Sequence, residues 1–323
     1  MRARTSTQAT IAHRLALVPV APYDFELALA YLRSSPSAVL ERISDAGVYT
    51  RALRLAGQPV LLRVWSEGTL TAPRLALEVR GAALSPAVLA AAEATIRDLF
   101  ALDADSTGFR ALGARDPVFG RLLARWPGLR PVRIAEPYEA LLWAIIGQQI
   151  HVGFARKLKL ALTEHCGEML RLDGEAYPLL PAPRTVAALA PEALRGLQFS
   201  RQKAEYVRTV STAIAAGELD LARLAARPHA EALATLTRYK GIGRWTAEYL
   251  LMRGLGAPDS LPAADLGLRA IIGRAYGLGR TATEAEVRAR AEAWAGWRGW
   301  AAFAWWLALQ LKLDPGELRP GDG

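Results

Sequence analysis

A chain of 323 residues, 52% hydrophobic and 22% charged, is long enough for two cores and too apolar for a disordered polypeptide. Its 40 Lys and Arg against 31 Asp and Glu give a formal charge of +9, a balance that favours a polyanionic partner. Cys166 is the only cysteine and the four histidines fall in no ligand spacing, which excludes an internal disulfide, a four-cysteine iron-sulfur cluster and the usual zinc sites. No cofactor or side-chain metal site is expected. The first residues lack a cleavable leader pattern, and no long uncharged apolar run occurs, so the expected location is cytoplasmic, with no membrane association.

In chain order, the first ten or so residues read as a frayed basic tail, and Pro22 to Leu32 as an amphipathic helix with Asp24 and Glu26 near its start. Three strand-like runs follow, Val48 to Leu55, Val60 to Trp65 and Leu75 to Arg80; in the last, Leu75, Leu77 and Val79 alternate with Ala76, Glu78 and Arg80. Gly57 and Gln58 before Pro59 suggest a hairpin turn, and Pro86 to Phe100 returns to helix. This pattern predicts an N-terminal α+β domain with a small antiparallel sheet over residues 1–115. Asp105 to Pro131 is the crossover.

Residues 116–323 are expected to be all-helical. Pro137 to Glu164 turns Leu141, Ile145 and Ile146 inward and is interrupted by Gln148 and Gln149, a pair that in an apolar helix ordinarily faces solvent. Thr185 to Leu194 and Ser200 to Ala216 are further helices; Arg201, Lys203 and Arg208 make either a phosphate-facing edge or a solvated face. Val287 to Leu313 carries Trp294, Trp297, Trp300, Trp305 and Trp306, more indoles than one helix face buries, so some are expected to line a surface or a pocket. Only five cations are lysines, and arginine forks suit phosphate.

The chemistry concentrates in Leu236 to Leu268. A helical run ending near Tyr239 meets Gly241-Ile242-Gly243, where glycine allows positive φ and Ile242 plugs the turn. A new helix starts near Arg244, and its free amides, with Lys240 and Arg244 beside them, suit a phosphate; a plain helix-helix turn fits the same residues. Trp245 and Tyr249 stand four apart on one face, a spacing that core packing also produces. Asp265 precedes an apolar helical run, as an N-cap does, without a capping box because Leu268 stands three residues on.

Hairpin, helix and aspartate in this order resemble the helix-hairpin-helix, Gly/Pro-Asp superfamily of DNA base-excision glycosylases. GIGRWTAEYLLMRGLG followed by LPAADLGL is similar to its alkylpurine branch, the 3-methyladenine DNA glycosylase II family, and PYDFELALAYL resembles that family's amino-terminal domain, which is chiefly structural. Lys240 departs from the proline often found before the first hairpin glycine. The resemblance implies a mostly α fold with an N-terminal α+β domain, the helix-hairpin-helix falling near 230–256. It also implies Asp265 as the catalytic carboxylate and Trp245, Tyr249 and Trp306 as the base pocket, with Trp305 in place of Trp306 if the register slips. Gly241, Gly243, Lys240, Arg244 and Thr246 then bind DNA, and Gln149, aligned on Gly147, wedges into the duplex. Some relatives hold a monovalent cation on the main chain that corresponds to Thr237, Tyr239 and Ile242.

The implied substrate is double-stranded DNA carrying alkylated bases, acted on by a monomer. Bifunctional members use a lysine two residues after the second hairpin glycine; here that residue is Trp245, which implies base removal without strand cleavage. Two further readings compete with this one: a non-catalytic helix-hairpin-helix clamp, and a glycosylase for oxidised or mismatched bases. Gly254-Leu-Gly256 and Gly277-Leu-Gly279 neither follow a strand nor complete a dinucleotide fingerprint.

Overall fold

A computed structural model describes residues 10–318; the basic tail lies outside the described residues. The N-terminal part is an antiparallel five-stranded sheet in the order β1-β5-β4-β3-β2, from β1 (Ile11–Leu17), β2 (Glu41–Ile43), β3 (Tyr49–Leu55), β4 (Gln58–Ser66) and β5 (Leu75–Gly81). The three strand-like runs became β3, β4 and β5. Strands β1 and β2 were not foreseen. The first is an edge strand whose side chains are mostly exposed, and the second has three residues, so neither shows a buried period. The β3–β4 turn is Ala56-Gly57, not Gly57-Gln58: Leu55 pairs with Gln58, and both turn residues have positive φ, the twist a two-residue hairpin needs.

One face of the sheet, through Leu53, Leu62, Val64, Leu77 and Val79, joins the main core with α1 (Phe25–Ser34) and α2 (Pro86–Leu99). Asp24 caps α1 by accepting from Leu27 N at 2.9 Å, and Ser85 caps α2. Short helices α3 (Thr107–Arg110) and α4 (Pro117–Arg125) lead to the central pair α5 (Pro137–Ile146) and α6 (Val152–Cys166). Then comes a departure from the all-helical expectation: β6 (Met169–Leu172) and β7 (Glu175–Pro178) form a hairpin. Its Leu170 and Leu172 cover Ala52 and Leu61 on the outer face of the first sheet, so a sheet that would otherwise expose apolar side chains is closed on both sides.

The chain continues through α7 (Pro183–Ala187), α8 (Pro191–Gly196), α9 (Arg201–Ala215), α10 (Leu221–Ala225), α11 (His229–Leu236) and α12 (Arg244–Tyr249). It ends with α13 (Leu266–Ala275), α14 (Glu284–Ala291) and α15 (Arg298–Gln310). Helix α15 is buried on every side from Gly299 to Ala308. That corrects the one-face argument about tryptophan: Trp294, Trp300, Trp305 and Trp306 are all buried and only Trp297 is partly exposed. Asp116 makes this possible for Trp294 by accepting from its Nε1 at 3.0 Å. Among the described residues no helix is long and apolar enough to cross a membrane.

Candidate active site

Helices α11 and α12 are joined by a turn that closes with Ile242 N donating to Tyr239 O at 3.0 Å. Gly241 has φ +93°, and a Cβ there would fall on the Tyr206 ring of α9. Ile242 is buried, as the plug requires. Gly243 differs from the expectation: it is extended at φ −82°, with open space where a Cβ would stand. No side chain caps α12. Its first amides therefore open onto solvent beside Arg244, while α13 is capped by Asp265.

Lys240 and Arg244 each have a carboxylate partner. Lys240 Nζ donates to Glu205 at 2.8 Å, and Arg244 Nε to buried Glu248 at 2.9 Å. Arg288 donates to the same carboxylate at 3.0 and 3.1 Å, so Glu248 anchors two arginines. Thr246 stands in the first turn of α12. Its side chain is buried and its hydroxyl accepts from Gln148, so this position can offer only its backbone to DNA. The carbonyls of Thr237, Tyr239 and Ile242 belong to the same hairpin, and that of Tyr239 is engaged by Ile242 N.

Asp265 begins α13, its Oδ1 accepting from Leu268 N at 2.8 Å and from Trp306 Nε1 at 3.0 Å. The buried Trp245 Nε1 points at the same carboxylate, outside ideal hydrogen-bond geometry but close enough to favour its ionised form. Burial pushes the Asp265 carboxyl above its ordinary value, against these donors, which favour the ionised form. Trp245 and Tyr249 have ring centroids 5.5 Å apart, and Tyr249 and Trp306 5.9 Å. The three rings make one aromatic row beside the carboxylate. Trp305, the fallback, instead packs on Phe119 and Tyr276 in the core.

Arg253 was missed. It is buried four residues after Tyr249, its guanidinium 5.9 Å from the Tyr249 ring and bonded to Tyr31 Oη. The i, i+4 spacing was the available signal. The Ser37 hydroxyl from the N-terminal part also lies by the Tyr249 phenol, so residues of both halves back this ring.

The expected wedge loop lies between α5 and α6. Gln149 is exposed at φ +55°, a left-handed conformation uncommon for a residue with a Cβ. Gln148 is not a solvent-facing twin: its Nε2 donates to Gly241 O at 2.8 Å and Thr246 Oγ1 at 2.9 Å. Lys203 is likewise no solvated face, donating to Ile146 O at 2.5 Å and Gln148 O at 2.6 Å. No signal in the sequence marked these pairs, since their partners stand more than fifty residues away.

Residues 142–296 match the family described as HhH-GPD superfamily base excision DNA repair protein, and residues 14–135 match the AlkA N-terminal domain. The chain belongs to the HhH-GPD superfamily. It is 29% identical over 277 residues to DNA-3-methyladenine glycosylase 2 of Escherichia coli, a match covering 84% of this chain and 89% of that one. It is 35% identical over 173 residues to a DNA-3-methyladenine glycosylase of Bacillus subtilis, covering 54% of this chain and 57% of the relative. With the putative B. subtilis DNA-3-methyladenine glycosylase YfjP the match spans 48% of the relative. A solved 3-methyladenine DNA glycosylase from Archaeoglobus fulgidus superposes with TM-score 0.80 at 24% identity, covering 92% of this chain and 99% of that one, a likeness of fold. The HhH-GPD match takes in the hairpin, the first two aromatic residues of the row and Asp265, while Trp306 lies beyond its end.

A cavity of about 360 Å³ elsewhere, lined in part by Arg97, Arg133, Met252 and Trp297, shares no residue with this site. Its arginines are already paired, Arg97 with Asp103 and Arg133 with Asp98. Among the described residues no group of three or more His, Cys, Asp and Glu comes together as a metal site would require.

Proposed function

We propose that this chain is a monofunctional DNA glycosylase that extracts alkylated, cationic purines such as 3-methyladenine and 7-methylguanine from duplex DNA and hydrolyses the N-glycosidic bond. The observation that carries the reading is the Asp265 carboxylate held by Leu268 N and Trp306 Nε1 against the row Trp245, Tyr249, Trp306. Acting on a base inside a duplex means unstacking it, at a cost of a few kcal/mol that is least for damaged pairs. The uncapped start of α12 holds a backbone phosphate through the amides of Gly243 and Arg244, with Lys240 and Arg244 adding charge, while Gln149 fills the space the nucleotide leaves.

Rings 5.5 and 5.9 Å apart leave no slot between neighbours, and Tyr249 and Trp306 are buried while Trp245 is partly exposed, so the base reaches the row from the Trp245 side. Methylation at a ring nitrogen makes the purine cationic, and an indole or phenol face contributes about 1–2 kcal/mol of attraction once water is excluded. Such a surface selects for electron deficiency and accepts several alkylated bases. The C1′–N bond breaks with its electron pair going to the base, which leaves neutral and needs no general acid. Asp265 stabilises the cationic sugar and takes the proton of the water that adds to C1′. Trp245 stands where an amine nucleophile would, and Lys240 is held by Glu205, so no Schiff base forms and the strand stays intact.

The test is incubation with duplexes carrying 7-methylguanine or 8-oxoguanine, scoring free base and strand breaks. The reading expects methylpurine release, an abasic site that breaks only after alkali, and little action on the oxidised base. Tight DNA binding with no release from either duplex would instead identify a helix-hairpin-helix clamp.

A further inference from the structure

Gln149 stands at φ +55° in a loop of five residues, 147–151, yet nothing in its own side chain holds that conformation. Its neighbours do. The end of α5 leaves carbonyls without helical partners, and the Lys203 ammonium gathers two of them, Ile146 O at 2.5 Å and Gln148 O at 2.6 Å. From the other side the Gln148 amide reaches Gly241 O at 2.8 Å and Thr246 Oγ1 at 2.9 Å, one on the hairpin and one in the first turn of α12. Helix α9 supplies the third tie: two and three residues after Lys203, Glu205 pairs with Lys240 and the Tyr206 ring lies where Gly241 has no side chain. One turn of α9 therefore touches both the Gln149 loop and the hairpin. The Lys203 side chain is half-buried among main-chain oxygens, and burial lowers its pKa to about 8.

We propose that Lys203 and Gln148 are positioning residues that lock the Gln149 loop to the hairpin, so that gripping the backbone and opening the stack occur as one rigid event. This rests on the glycosylase reading above. A flexible loop would have to be ordered at each encounter with DNA; this one is already tied to the hairpin and to α12, the elements whose amides bind the phosphate in that reading. The ties act on flipping and not on bond cleavage, so their loss falls on paired bases and spares bases that are already out of the stack.

The experiment compares wild type with Lys203→Met, Lys203→Arg and Gln148→Leu in single-turnover release of 7-methylguanine, either paired in duplex or displaced in a bulge. A 2-aminopurine beside the lesion reports stack opening, and thermal melting reports folding. Lys203→Met and Gln148→Leu are expected to lose about 10- to 100-fold on the paired lesion, with a matching slowing of the fluorescence rise, and to stay near wild type on the bulge. Lys203→Arg, which keeps donors for the two carbonyls, is expected to recover much of the loss. Equal loss on both substrates with a lowered melting temperature, or no loss on either, overturns the proposal. If wild type releases no base from either duplex the glycosylase reading fails, and an unchanged fluorescence response across the variants then overturns the coupling as well.

Discussion

In the proposed reading Asp265 both caps α13 and serves the chemistry: Oδ1 accepts from Leu268 N and Trp306 Nε1, and the Gly267 amide and the Trp245 indole also favour its ionised form. Burial raises its pKa, so the native state binds a proton more tightly than the unfolded chain does. The group's contribution to stability is then fully present below the unfolded carboxyl pKa and lost as pH rises through the folded value. Asp265→Asn keeps the cap, since Asn serves at that position, and removes the buried charge; at neutral pH it is expected to melt at or above wild type. A melting temperature well below wild type would contradict this. Base release is expected to fall on an acid limb centred above the ordinary carboxylate range. Trp306→Phe keeps a ring but deletes a donor to the ionised form, so the limb should move further up; an unmoved limb in a pH-rate series would show that the indole N–H does not matter. Asp265 was legible because a carboxylate at the head of an apolar helix, following a glycine hairpin in the same stretch, is a local pattern. That Trp306 bonds to it was not, because the two stand 41 residues apart.

At the scale of elements, the two hairpin glycines are not equivalent. Gly241 is required by the fold, by φ +93° and by the Tyr206 ring; Gly243 has φ −82° and open space. Gly241→Ala is expected to lower the melting temperature sharply. Gly243→Ala should fold normally yet weaken DNA binding, because a methyl group there stands in the path of the phosphate. Melting and binding measured together check both, and equal behaviour of the two variants would refute the distinction. The sequence showed the hairpin, its plug and the helices on either side, all local patterns. It did not show that β6 and β7 cover the sheet, since four-residue strands carry little periodicity and their partners Ala52 and Leu61 lie over a hundred residues away. Strands β3 to β5 were legible where alternation was clean. The α15 region misled because its indoles are buried on all sides, and no helical face pattern survives full burial.

Across the whole molecule, one buried charge cluster joins sheet to helices. Arg51 of β3 and Lys159 of α6 meet Glu139 of α5 at 2.7 and 2.5 Å, and Lys159 also donates to Ser37 O at 2.8 Å. Burial pushes the Glu139 carboxyl up, and the two cations outweigh it and leave it below its ordinary value. Glu139→Ala leaves buried Lys159 without a carboxylate and Arg51 with only Glu136 and Glu41, at 3.3 and 3.5 Å, and is expected to destabilise by about 3–5 kcal/mol, read by denaturant unfolding; a change under about 1 kcal/mol would show that these remaining partners satisfy the cations. Ser37 lies in this seam and against the Tyr249 phenol, so the seam also fixes the back of the aromatic row. In the proposed function a carboxylate in this frame, beside those rings, drives cleavage of the glycosidic bond. Its most direct test is single-turnover release of 7-methylguanine from duplex DNA by wild type and Asp265→Asn, at concentrations where both are fully bound. Release by wild type and a loss of about 10²-fold or more in the variant, with binding unchanged, are expected. Equal release by the two proteins would contradict it.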